Sequence, residues 1–252
     1  MAGDLAGLVG RWCDAAGVDP DLRPTPARLA RAFEGAGQVT RPGVDPARLA
    51  SWERRYGFAL PGSLKAWLLL SNGFYADGGP LVHPLSGIGP MIPFARISGM
   101  LIQPESWFEV GNPNWETVCL DLAYRWPGPG GDCPLFTSGD DERPSPPRVI
   151  APGFAAWFLR LLHAGGGEFW FEPGFAPLGD PWLEHRRRAP EPPLSDRLRR
   201  LALGVGPLVH RGVDDRFIAT SLGISRGDVE AIVRHLQHAP AGFAGSTADS
   251  GA

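Results

Sequence analysis

Six histidines, three cysteines and one dense acidic run are the groups in this 252-residue chain best equipped for chemistry. The histidines, at positions 83, 163, 185, 210, 235 and 238, form no His-Glu-x-x-His pair, and His235-x-x-His238 lies too near the chain end to suggest a supported zinc site. Cys13, Cys119 and Cys133 are odd in number and contain no Cys-x-x-Cys pair, which fits buried thiols in a reducing compartment. Cys119 and Asp121 would share one face of a strand as a nucleophile beside an acid; the plainer reading is a buried thiol next to a turn-forming carboxylate. Asp140-Asp141-Glu142 offers oxygen ligands to a divalent cation, yet lacks the spaced ligands of a calcium loop and so reads as a solvated acidic loop. Gly165-Gly166-Gly167 follows a helix rather than a strand and has no lysine after it, which makes it a helix stop and not a phosphate cradle. No catalytic constellation, metal site or cofactor motif emerges.

Binding has better support. The loops carry aromatic, amide and carboxylate side chains suited to a partner surface: Asn112, Asn114, Trp115, Trp126, Asp140, Asp141 and Glu142. An acidic loop would speed encounter with a basic protein such as a nuclease. The formal charge of −3 gives no whole-molecule attraction for nucleic acid or an anionic membrane. No cationic-then-apolar leader opens the chain, and no window approaches the ~18 apolar residues of a membrane span. A cytoplasmic protein without a membrane role is expected.

The elements that must position these loops follow from periodicity and punctuation. Helices are expected over 1–16, from Thr25-Pro26 onward, and over 43–57, where Asp45-Pro46 caps the start and Gly57 the end. A fourth is expected from Pro61, with Leu64, Trp67 and Leu68 on one face and Asn72-Gly73 closing it. Strands are expected over 91–94, 107–110, 117–122, 134–137 and 148–151. The third alternates Val118, Leu120 and Leu122 with Cys119 and Asp121, as a half-buried strand would. A helix over 153–163 closes this region, and 168–193 reads as a Pro-rich linker. Residues 194–238 form a small helical module with helix-turn-helix grammar around Gly223-Ile224-Ser225, and 239–252 are expected to be disordered.

The order of these pieces over 44–167 resembles the SUKH superfamily, which includes the fungal cell-wall assembly regulator family. The residues that carry it are Trp52; Leu60-Pro61 leading to Trp67; Ser71-Asn72-Gly73; Trp107 to Gly111; Thr117 to Asp121; Pro134-Leu135-Phe136; Arg148 to Ala151; and the helix after Phe154. The resemblance implies an α+β fold, with a curved, mostly antiparallel sheet and helices packed beside it. It also implies a protein-binding, non-catalytic role of the immunity type, in which a toxin effector is neutralised by direct binding. Residues 1–43 would then be an N-terminal helical extension. The alternative is a DNA-binding or regulatory adaptor acting through the C-terminal module, although Asp228 and Glu230 on its second helix would repel phosphates.

Overall fold

A computed structural model of the protein describes residues 5–34, 39–76, 79–91, 104–113, 116–128, 131–137, 147–189 and 196–238. They divide into two compact units, one built from 5–91 and 105–181 and the other holding 182–238.

The first unit opens with helices α1 (Leu5–Ala15) and α2 (Pro26–Ala32). Strand β1 (Val39–Pro42) leads to α3 (Pro46–Tyr56). There the Asp45 carboxylate accepts from the Ala47 N–H at 2.7 Å and Gly57 ends the helix at φ 75°. Helix α4 (Gly62–Leu70) runs straight into β2 (Ser71–Ala76), so Ser71-Asn72-Gly73 starts a strand where the sequence predicts a helix end. The reason is tertiary. The Ser71 hydroxyl donates to the Gly73 carbonyl at 2.7 Å, the Asn72 side chain accepts from the Leu85 N–H at 2.8 Å, and β2 finds partners on both sides.

Two antiparallel sheets result rather than one. The first has the order β1-β2-β3, with β3 spanning Gly79–Val82. The second runs β4 (Gly89–Pro90), β5 (Trp107–Gly111), β6 (Val118–Asp121), β7 (Leu135–Thr137) and β8 (Arg148–Ala151) in sequence order. Of the strand expected over 91–94, Met91 is described, and its N–H donates to the Trp107 carbonyl; 92–94 lie outside the described residues. The two sheets are stitched where β3 passes β5. His83 N–H donates to the Val110 carbonyl and Asn112 N–H to the Pro80 carbonyl, each at 2.8 Å. A side chain at Gly111 would collide with the Leu81 carbonyl, so this crossing requires glycine.

Strand β6 is buried on both faces, not half-buried: Val118 and Leu120 enter the main core, while Cys119 and Asp121 stand in register with the buried Phe136 and Trp107, whose rings are 4.4 Å apart. The helices α1, α4 and α5 (Phe154–His163) share one core. Trp12, Trp67, Phe74, Phe154 and Phe158 are all fully buried, with ring centroids 4.6 Å apart for Trp67–Phe158 and 5.0 Å for Trp12–Phe158. Such aromatic pairs add about 0.5–1.5 kcal/mol each beyond area burial. Trp12 also donates its indole N–H to the Ser63 carbonyl at 2.9 Å, so the N-terminal helix is built into this core. Beyond α5, Phe169 and Trp170 are buried in a short 3-10 turn, and the Val149–Gly179 bridge covers the outer edge of β8. The first half of the expected linker is therefore part of this unit.

The second unit contains α6 (Pro181–Arg188) from its second residue on, α7 (Asp196–His210), α8 (Asp215–Leu222) and α9 (Arg226–His238). In α6 the buried Glu184 carboxylate accepts from Arg187 at 3.1 Å and Arg188 at 2.6 Å, so the basic run is helical and partly neutralised. Helices α7 to α9 close over Ala202, Val205, Ile218, Ala219, Val229, Ile232 and Val233. Among the described residues, no helix is long and apolar enough to cross a membrane. The tail 239–252 lies outside the described residues.

Candidate interaction surface

Strand register decides which loops can act together. Gly111 pairs with Val118, Val118 with Thr137, and Thr137 with Arg148. The β5–β6 connection, which begins at Asn112, and the β7–β8 connection, anchored at Thr137 and Arg148, therefore leave the sheet at the same end. The β6–β7 connection, which carries Trp126, leaves from Asp121 at the opposite end, where Asp121 faces Trp107. Asn112 and Trp126 thus do not converge. Asn114, Trp115, Asp140, Asp141 and Glu142 lie outside the described residues.

Asn112 is half-buried and held by its backbone bond to Pro80; its side-chain amide reaches the Thr117 hydroxyl only at 3.5 Å, and its Oδ1 has no hydrogen-bond partner among the described residues. At the same end the Thr137 hydroxyl and the Nε and Nη2 of Arg148 are also buried without one among the described residues, while the Arg148 guanidinium lies 4.8 Å from the Phe171 ring centroid. Among the described residues, this distinguishes that end of the sheet from the opposite one. There the described turn residues bond one another: the Trp126 N–H donates to the Asp132 carbonyl at 2.8 Å, Arg125 pairs with Asp132, and any side chain at Gly131 would strike the Trp126 carbonyl.

The Cys119–Asp121 face does not form a reactive pair. Cys119 is completely buried, and desolvation, reinforced by the charges of Glu109 and Glu116, pushes its thiol well above the ordinary range. Asp121, 1% exposed, accepts from the Ser106 hydroxyl at 2.7 Å, the Trp107 indole at 2.9 Å and the Ala123 N–H at 3.0 Å. It is a bracket for the sheet end. Burial also raises the Cys13 and Cys133 thiols, in the latter against the lowering influence of Arg125. His83 meets Glu109 at 2.9 Å in a partly buried pair. No group of three or more metal-ligating side chains occurs among the described residues.

Sequence reasoning missed one surface. Helix α3 and the segment after β3 enclose an open cleft of about 300 Å³, with Arg48, Trp52, Arg55 and Tyr56 on one side and Leu85 and Ile88 on the other. Trp52 fixes its floor by donating its indole N–H to the Ile88 carbonyl at 2.9 Å. The seven-residue spacing of Arg48 and Arg55 was a usable signal, since it sets both on one helix face. The opposing wall had none, because only tertiary folding brings residues 85–88 there. No family model matches the chain, and no curated protein matches it.

Proposed function

We propose that this is a SUKH-type protein that works by binding another protein and not by catalysis, of the immunity kind, with a toxin effector as its partner in the cytoplasm. The observation that supports this most is the register of the second sheet: the connections over 112–117 and 138–147, which hold the amide, aromatic and acidic residues suited to an interface, are anchored at one sheet end. The order α3, α4, antiparallel sheet, α5 agrees with the resemblance, and three free, buried cysteines suit a reducing compartment.

On this proposal the C-terminal module is a helix-turn-helix-like docking unit for protein rather than DNA. Arg226, at the start of α9, is already engaged by Asp215 at 2.6 Å and Glu230 at 3.3 Å, and Asp228 sits in the same turn, so little free positive charge remains where a phosphate would lie. Phe217, 64% exposed on α8, offers an apolar contact instead.

The test is co-expression with a panel of basic nuclease toxin domains, followed by affinity measurement on any pair that rescues growth. Replacing Trp115 together with Asp140, Asp141 and Glu142 by alanine should weaken binding by about 30-fold or more, as expected for a hot-spot cluster. Unchanged affinity would overturn the site, and a complete lack of rescue across the panel would count against the immunity reading.

A further inference from the structure

We infer that the α3 cleft is a second binding site, one that takes an extended acidic protein segment with an apolar side chain between its carboxylates. This rests on the cleft alone and not on the loop surface above.

Arg48, Arg54 and Arg55 are exposed on α3 and form no ion pair among the described residues. The one acid in their midst, Glu53, is spent elsewhere: it accepts from the Leu60 N–H at 2.9 Å and from Lys65 at 3.1 Å. Asp45 is likewise committed to capping the helix. The arginines therefore project a positive field from a molecule whose net charge is negative.

Arg48 and Arg55 stand two helical turns apart, about 10 Å along the axis at 1.5 Å per residue. Between them lies the aromatic floor. Trp52 and Tyr56 have ring centroids 4.7 Å apart and both rest on Phe108, at 5.2 Å each, while the Arg55 guanidinium lies 5.2 Å from the Tyr56 centroid. The floor is held rigidly from beneath, so an incoming side chain meets a preorganised surface. Ser51 and Ser86 add hydroxyls at the rim. A volume of about 300 Å³ suits one large side chain and not a whole cofactor. Apolar centre, polar rim and two flanking arginines are the anatomy of an interface hot spot, and arginine forks pair with carboxylates bidentately. A nucleic-acid strand fits less well, because it would need a longer track of cations than two arginines flanking one slot.

The probe is a short fluorescent peptide with one phenylalanine between aspartate pairs, titrated into the full chain by anisotropy at about 0.15 M salt, where charges are screened over about 8 Å. Arg48→Glu with Arg55→Glu should weaken binding by 100-fold or more, at about tenfold or more per lost charged hydrogen bond. Arg54→Glu, which alters net charge outside the cleft, should change it less than about threefold. Replacing the peptide phenylalanine by serine should also lose about tenfold. Equal binding by the double variant, or an equal loss with Arg54→Glu, would overturn the site. So would tighter binding of a thymidine oligonucleotide than of the peptide. All three arginines are exposed, and unchanged tryptophan emission would confirm that the variants are folded.

Discussion

The two compact units are stabilised by different means. The first is built around indole and phenyl rings, among them Trp12, Trp67, Trp157, Phe74 and Phe158, locked between helices and central strands. The second, in its three-helix part, has a core that is aliphatic among the described residues, from Ala202 to Val233, and depends more on how its helices begin and end. Asp214 caps α8 through the N–H groups of Arg216 and Phe217, and Gly223 ends it at φ 61°. Ser225 and Asp228 cap α9 reciprocally: the Ser225 hydroxyl accepts from the Asp228 N–H, and the Asp228 carboxylate from the Ser225 N–H, each at 3.0 Å. A large aromatic core makes single caps dispensable; a small aliphatic one does not.

That contrast can be broken by substitution. Trp67→Ala should cost the first unit about 3–5 kcal/mol, lowering the denaturant midpoint followed by tryptophan emission; every tryptophan except Trp182 lies outside 182–238. A loss under 1 kcal/mol would mean that the aromatic cluster is not its keystone. Ile232→Ala should cost the module about 2–5 kcal/mol, enough to unfold it and remove helical circular dichroism while tryptophan emission stays native. If both signals moved together, the units would not be energetically separate. Ser225→Ala should cost about 1 kcal/mol, visible only in the module's melting.

Acid sharpens the last point. The Ser225 N–H, and then its hydroxyl, hold the Asp228 carboxylate below its ordinary value. A depressed carboxylate contributes stability that is complete above its unfolded value, near 3.9, and is lost as pH falls through the lower folded value. Helical melting of the module should weaken below about pH 4, and Ser225→Ala should flatten that dependence. An unchanged pH profile in the variant would detach Asp228 from the cap.

Local rules were written plainly in the chain: the Asp45-Pro46 start and Gly57 stop of α3, the Thr25 cap of α2, the run from Phe154 to His163, and the strands at 107, 118, 135 and 148. Each depends on neighbours within a few residues, so spacing and capping chemistry carry the information. Asn72-Gly73 misled because either a helix stop or a strand irregularity suits glycine with positive φ, and the pairing of β2 with β1 and β3 chose between them. Candidate binding residues were legible as types but not as a group; Asn112 and Trp126 look equivalent in sequence and stand at opposite ends of β6.

By itself, then, the sequence determined the helices with their caps, the α+β character and the apolar residues that fill both cores, because these follow from local geometry and from the cost of leaving large side chains in water. Only the tertiary structure decided that Trp12 joins Trp67 in one core, that the strands divide into two sheets stitched at Gly111, and that residues 85–88 complete a cleft with Arg48 and Arg55. Those are contacts between residues far apart in the chain. No local periodicity encodes them; they are fixed when strand register and close packing are satisfied together.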